Sequence, residues 1–110
     1  MLIPSSSGGV NRDQIIITPT GVGANATVIA EVVNSICYVY LRFVQYTQSS
    51  GSWQEFCTLP EGYRPKNYID TAMSGNGAYG VVTFSTSGSI SVISPTRNVN
   101  MFGYISYPVN

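Results

Sequence analysis

Residues 36–46 read ICYVYLRFVQY, and this stretch decides the fold class. It is made almost entirely of β-branched and aromatic residues, which favour strands. Successive side chains of a strand point to opposite faces. One face is therefore expected to carry Cys37, Val39, Leu41 and Phe43. The other face is expected to carry Tyr38, Tyr40, Arg42, Val44 and Tyr46.

The rest of the chain follows the same pattern. Val and Ile together number 22 against three Leu, and 11 Gly and six Pro punctuate the sequence. Short β-branched segments between such breakers predict about eight strands, at residues 14–18, 26–33, 36–46, 53–58, 67–73, 78–85, 89–94 and 100–107. The fold class predicted is all-β, a sandwich or jelly roll, and the strand pattern alone does not separate a jelly roll from an immunoglobulin-like sandwich.

A length of 110 residues corresponds to one domain. Residues 1–12 contain the spacer-like SSSGG and are interpreted as a linker or the end of an upstream segment, with the domain at 13–110. The start of the chain has no basic n-region and no apolar h-region, so no signal peptide is predicted. The longest apolar run is too short to span a bilayer and contains Arg42.

Charge is scarce and balanced. Five basic and five acidic residues make up 9% of the chain, and the formal net charge is zero. Nucleic-acid binding needs a basic patch, and binding at a membrane surface needs a polybasic face. The composition therefore predicts neither nucleic acid nor a membrane as a partner.

The sequence contains few of the residues that catalytic sites need. The chain has no histidine, which removes Ser-His-Asp and Cys-His sites and most zinc sites. Cys37 and Cys57 fit no metal or redox spacing and are interpreted as small buried hydrophobes, with a disulfide as the alternative. A glycosidase needs only two suitably spaced carboxylates, but five scattered acids are ordinary in a solvated β domain. We expect a non-enzymatic protein without a metal or cofactor.

Binding is the better-supported alternative, because Tyr, Trp and Arg combine rigid area with polar groups. An aromatic ring can stack on a sugar while planar donors and acceptors meet its hydroxyls. The candidate ligand-binding residues are Trp53, Arg64, Asp70 and Arg97. Arg97 is included because it lies in the loop SPTRNVN, where a charge has no core role.

The segment LPEGYRP, residues 59–65, is expected to be an architectural loop. Pro60 and Pro65 restrict the backbone, and Gly62 permits a turn that other residues avoid. Leu59 is expected to anchor the loop in the core.

The longer segment GSWQEFCTLPEGYRPKNYI, residues 51–69, resembles the C-terminal head domains of bacteriophage tail-fibre and baseplate receptor-binding proteins. In those heads a Trp and a short strand precede LP-x-GYRP, which leads into a new strand. The resemblance extends in plan over about residues 25 to 110, through SGSISVIS and the closing SYPV. Ligand residues vary in that family, so none is transferred.

This resemblance implies a jelly-roll-like β-sandwich of about eight antiparallel strands that forms a homotrimer at a virion tail tip. It also implies recognition of a host cell-wall polysaccharide without cleavage. The alternatives are a structural trimerisation tip or virion decoration domain, a carbohydrate-binding module and, least favoured, a glycan hydrolase. Residues expected to form an exposed trimer interface are Tyr38, Tyr40, Val44, Tyr46, Tyr104 and Tyr107.

Overall fold

A computed structural model of the chain describes residues 9–109 and contains eight strands in that range, with no helix among them. This confirms the all-β prediction. Each predicted strand is present, with boundaries displaced by about two residues at most. The strands are β1 (Arg12–Ile17), β2 (Thr27–Val33), β3 (Ile36–Val44), β4 (Gln54–Thr58), β5 (Ile69–Gly75), β6 (Ala78–Phe84), β7 (Ser89–Ile93) and β8 (Met101–Pro108).

Most of the predicted linker, residues 1–8, lies outside the described residues. Its last part is attached to the sheet. The backbone N–H of Val10 donates to Oγ of Ser35 at 2.9 Å, and the N–H of Ser35 donates to the carbonyl of Val10 at 2.7 Å.

All eight strands are joined in one antiparallel sheet in the order β1-β2-β3-β8-β5-β6-β7-β4. The sheet curls around a single core, so its concave face is buried and its convex face is not. On β2, Val28, Ala30 and Val32 point inward, and on β3 Val39 and Leu41 do the same. The alternation of apolar side chains along each strand thus sets which face is buried.

A β-bulge interrupts β3 at Arg42 and Phe43. Leu41 pairs with Gly103 and Val44 pairs with Met101, so β3 advances three residues while β8 advances two. Phe43 has a left-handed backbone conformation, with a φ of 55°. The extra residue reverses the alternation, and the side chains after it change faces.

The connections gather at two ends of the sheet. The far end comprises the loops 18–26, 45–53 and 94–100 with the turn 76–77. The near end comprises the loop 59–68 and the turns 34–35 and 85–88. Val109 also lies at the near end, where its N–H donates to the carbonyl of Ser35.

Candidate functional site

The loops of the far end are tied together by buried polar side chains. Tyr46 is buried, its hydroxyl donates to the carbonyl of Ser52, and its own carbonyl accepts from the N–H of Asn98 at 2.9 Å. Gln54 accepts from the N–H of Thr47 at 2.9 Å and donates to the carbonyl of Gly21 at 2.8 Å. These contacts hold loops 18–26, 45–53 and 94–100 in one arrangement.

A cleft of about 400 Å³ lies between two of these loops. Gly51 comes from the loop that carries Trp53, and Ser94 and Pro95 come from the segment that leads to Arg97. The side chains of Trp53 and Arg97 are exposed on these loops, Trp53 at 49%. The fold therefore places these two predicted residues on the two segments that flank one cleft.

Tyr79 forms a wall of the same cleft and is 65% exposed. The hydroxyl of Ser94 donates to the Tyr79 carbonyl at 2.6 Å, which fixes the backbone beneath the ring. The exposed ring of Tyr79 offers a flat apolar surface in the lining of the cleft. Sequence analysis missed Tyr79, because a tyrosine in a strand is ordinarily a half-buried packing residue.

The other two predicted ligand residues, Arg64 and Asp70, are not near this cleft. Asp70 is exposed near the start of β5, where it pairs with Thr83, and Arg64 belongs to the near-end loop. The structure thus divides the four candidates into one pair at each end of the sheet.

The loop 59–65 has the architecture expected of it. Leu59 is fully buried, and its N–H donates to the carbonyl of Gly88 at 2.8 Å. Arg64 Nε donates to the Leu59 carbonyl at 2.8 Å, and the Tyr63 hydroxyl donates to the carbonyl of Asp13 at 2.6 Å. The loop is therefore bonded to two other segments of the chain, at Gly88 and at Asp13.

Buried polar groups lie beneath the loop. The carbonyl of Tyr63 accepts from the Tyr107 hydroxyl at 2.6 Å and from Sγ of Cys37 at 3.5 Å. Burial raises the pKa of both the Tyr107 hydroxyl and the Cys37 thiol. Burial also raises the pKa of Cys57 to about 11. Both cysteines are free and buried, so these groups stay protonated and act as structural donors or packing groups.

The convex face carries a continuous row of apolar side chains. Ile16 pairs with Ile29, Ile29 with Tyr40, and Tyr40 with Tyr104. The rings of Tyr40 and Tyr104 lie 4.8 Å apart between centroids. Because Met73 pairs with Gly103, Ala72 follows beside Tyr104, and the row continues from Ala72 to Val81 and Ile93. We call this set, Ile16, Ile29, Tyr40, Tyr104, Ala72, Val81 and Ile93, the outer row.

The predicted interface residues are corrected in part by their burial. Tyr40 and Tyr104 are exposed in the outer row, and Tyr38 is half-buried on the same face. Val44, Tyr46 and Tyr107, however, lie in the core of the chain itself. The bulge at Phe43 turns Val44 and Tyr46 inward, and Tyr107 follows the inward alternation of β8.

No group of three His, Cys, Asp or Glu side chains within residues 9–109 is placed to hold a metal ion. The same range has no helix with the length and hydropathy needed to cross a membrane.

No family model matches the sequence, and no curated protein is similar to it. Among solved structures, the chain is similar to the head domain of the lactococcal phage bIL170, described there as a receptor-binding domain. The TM-score is 0.61 at 20% identity, and the similarity covers 93% of this chain and 96% of that one. The chain has the same fold as that head domain. At this identity the match establishes the shared fold, over nearly the whole of both chains.

Proposed function

We propose that this protein is a phage receptor-binding head that recognises a saccharide of the host cell surface without cleaving it. The observation that carries the proposal is the far-end cleft, with Trp53, Tyr79 and Arg97 exposed on a fold shared with the bIL170 head. In this role the protein would belong to the tail tip of a virion and act outside the cell.

The cleft suits a sugar better than a charged or wholly apolar ligand. Tyr79 offers a ring in the cleft on which a pyranose can stack, and Trp53 and Arg97 on the flanking segments would supply a second ring and a planar set of donors for its hydroxyls. Flat rings and fixed polar groups bind sugars weakly per site, which makes repeated sites valuable.

We further propose that the head acts as a homotrimer assembled through the outer row. Exposed apolar patches of this extent ordinarily mark interfaces. The row has two parts, with Tyr40 and Tyr104 on one and Val81 and Ile93 on the other. Val81 and Ile93 also line the far-end cleft, so in the proposed assembly that cleft would lie at the boundary between protomers. A closed ring is built from two different patches on each protomer, whereas a twofold dimer requires only one self-complementary patch. The outer row provides two patches.

The saccharide proposal is tested by binding to arrayed cell-wall polysaccharides from Gram-positive bacteria. The single variants Trp53→Ala, Tyr79→Ala and Arg97→Ala should each lower binding at least about fivefold, as loss of a hot-spot side chain does. Asp70→Ala, an exposed change at the other end, is the matched control and should bind as the wild type does.

Two outcomes would contradict the saccharide proposal. If the three far-end variants bind as well as the wild type, the cleft is not the site. If the folded wild type binds no polysaccharide of the array while remaining trimeric, the alternative of a purely structural trimerisation tip is favoured instead.

A further inference from the structure

Most of the positive charge of this chain lies in one place. The sequence has five basic residues, and three of them, Arg12, Arg64 and Lys66, line a single groove of about 630 Å³ at the near end. Glu61 is the one acidic residue among the eight that line it. In a protein whose formal net charge is zero, this groove is locally positive by two charges.

Arg12 contributes its charge from beneath the groove. Its guanidinium lies so close to Gly62 that a Cβ at that position would be 2.4 Å from Nε, so only glycine leaves room for it. The Nη1 atom is buried and has no hydrogen-bond partner among residues 9–109. A buried charged donor without a partner is costly, so an anion held close to it would be stabilised.

Arg64 is held in place by the loop itself. Its Nε donates to the carbonyl of Leu59 at 2.8 Å, which orients the guanidinium while using one of its five N–H donors. Lys66 is exposed at the rim, and the exposed hydroxyl of Thr86 belongs to the lining as well. The groove thus combines the oriented guanidinium of Arg64, the flexible ammonium of Lys66 and the neutral hydroxyl of Thr86.

We propose that this near-end groove binds a phosphate-type oxyanion. Two excess positive charges match a phosphate dianion or a phosphate monoester, and forked guanidinium donors fit tetrahedral oxyanions well. The inference goes beyond the proposed function: the groove is at the opposite end of the sheet from the cleft, and its occupancy depends neither on trimer formation nor on saccharide binding there.

The groove continues toward an aromatic side chain. Pro65 and Lys66 also line a smaller depression of about 140 Å³, together with Tyr68. Tyr68 is 73% exposed, the largest exposed fraction among the large hydrophobic residues within positions 9–109. A phosphate carried by a sugar could bind the cations while its ring lies against Tyr68, whereas inorganic phosphate would use the cations alone.

The site is tested by titrating inorganic phosphate into the ¹⁵N-labelled protein while sodium chloride holds the ionic strength constant. The amide signals of Gly62 and Lys66 should shift in a saturable way. Lys66→Gln should weaken the binding about tenfold, because it removes a charge-assisted contact without touching the core. Arg42→Gln is the matched control, since Arg42 is exposed on the convex face.

The outcomes separate clearly. Equal weakening by Lys66→Gln and Arg42→Gln would mean unspecific attraction and would overturn the proposal, as would the absence of saturation up to about 100 mM phosphate. Glucose 1-phosphate then distinguishes the two sources of phosphate. If glucose 1-phosphate binds more tightly than inorganic phosphate and Tyr68→Ser abolishes this difference, the occupant is a phosphorylated sugar. If the two ligands bind equally, the occupant is free phosphate. Failure here would leave polysaccharide binding by the far-end variants unaffected.

Discussion

Leu59 is the residue through which the near-end loop is attached to the core. Its side chain is fully buried, its own N–H donates to the carbonyl of Gly88, and its own carbonyl accepts from Arg64 Nε. We expect Leu59→Ala to lower the free energy of unfolding by about 2–4 kcal/mol, as truncation of a buried leucine does. Urea denaturation measures this change.

Glu61→Ala, an exposed change in the same loop, serves as the control for Leu59 and should alter stability by less than about 0.5 kcal/mol. A loss below about 1 kcal/mol for Leu59→Ala would contradict the role of this side chain as the anchor of the loop.

Gly62 is required for two separable reasons, its backbone angle and the space it leaves. Its φ is +92°, and a Cβ would collide with Arg12. Gly77 has a similar φ of +82° but no atom within 4 Å of the position of a Cβ. Gly77→Ala should therefore cost about 1–2 kcal/mol from backbone strain alone, and Gly62→Ala should cost more.

The comparison of the two alanine variants by urea denaturation isolates the steric part. If both variants lose the same free energy of unfolding, the Arg12 side chain moves aside freely. The proposed close packing of its guanidinium against Gly62 would then be wrong.

At the scale of the element, the bulge in β3 determines which face of the sheet the side chains after it occupy. Without it, Tyr46 would lie on the convex face with Tyr40. With it, Tyr46 enters the core and bonds both to the Ser52 carbonyl and, through its own carbonyl, to Asn98. One strand thus positions the two loops that flank the candidate saccharide cleft.

Tyr46→Phe should therefore destabilise the far end by about 1–3 kcal/mol, because the Ser52 carbonyl loses a largely buried donor. Faster hydrogen exchange at the Asn98 amide would report the loosening locally, and urea denaturation would report it globally. Tyr68→Phe, which removes the hydroxyl of an exposed tyrosine, should change neither measurement.

At the scale of the whole molecule, the outer row predicts the oligomeric state. Light scattering at micromolar concentration should give three chain masses for the wild type. The double variant Tyr40→Ser with Tyr104→Ser should give one, because it removes the ring pair at the centre of one patch. Tyr68→Ser, away from the row, should leave the trimer intact. A wild-type mass of a single chain would refute the assembly.

Much of the fold follows from the sequence by itself. The excess of Val and Ile and the spacing of Gly and Pro predicted eight strands, because strand formation depends on local side-chain shape and on breakers that act within a few residues. The buried anchor at Leu59 was predictable for the same reason, as an apolar residue at the entrance to a proline-restricted loop.

The arrangement of the site was decided by the tertiary structure alone. A single bulge at Phe43 reversed the faces of Val44 and Tyr46, and period-two alternation contains no signal for where an extra residue enters a strand. The far-end cleft brings Gly51 beside Tyr79, and the near-end groove brings Arg12 beside Arg64, although these residues are far apart in sequence. Such arrangements depend on strand order and sheet curvature, which side-chain patterns along one strand do not encode.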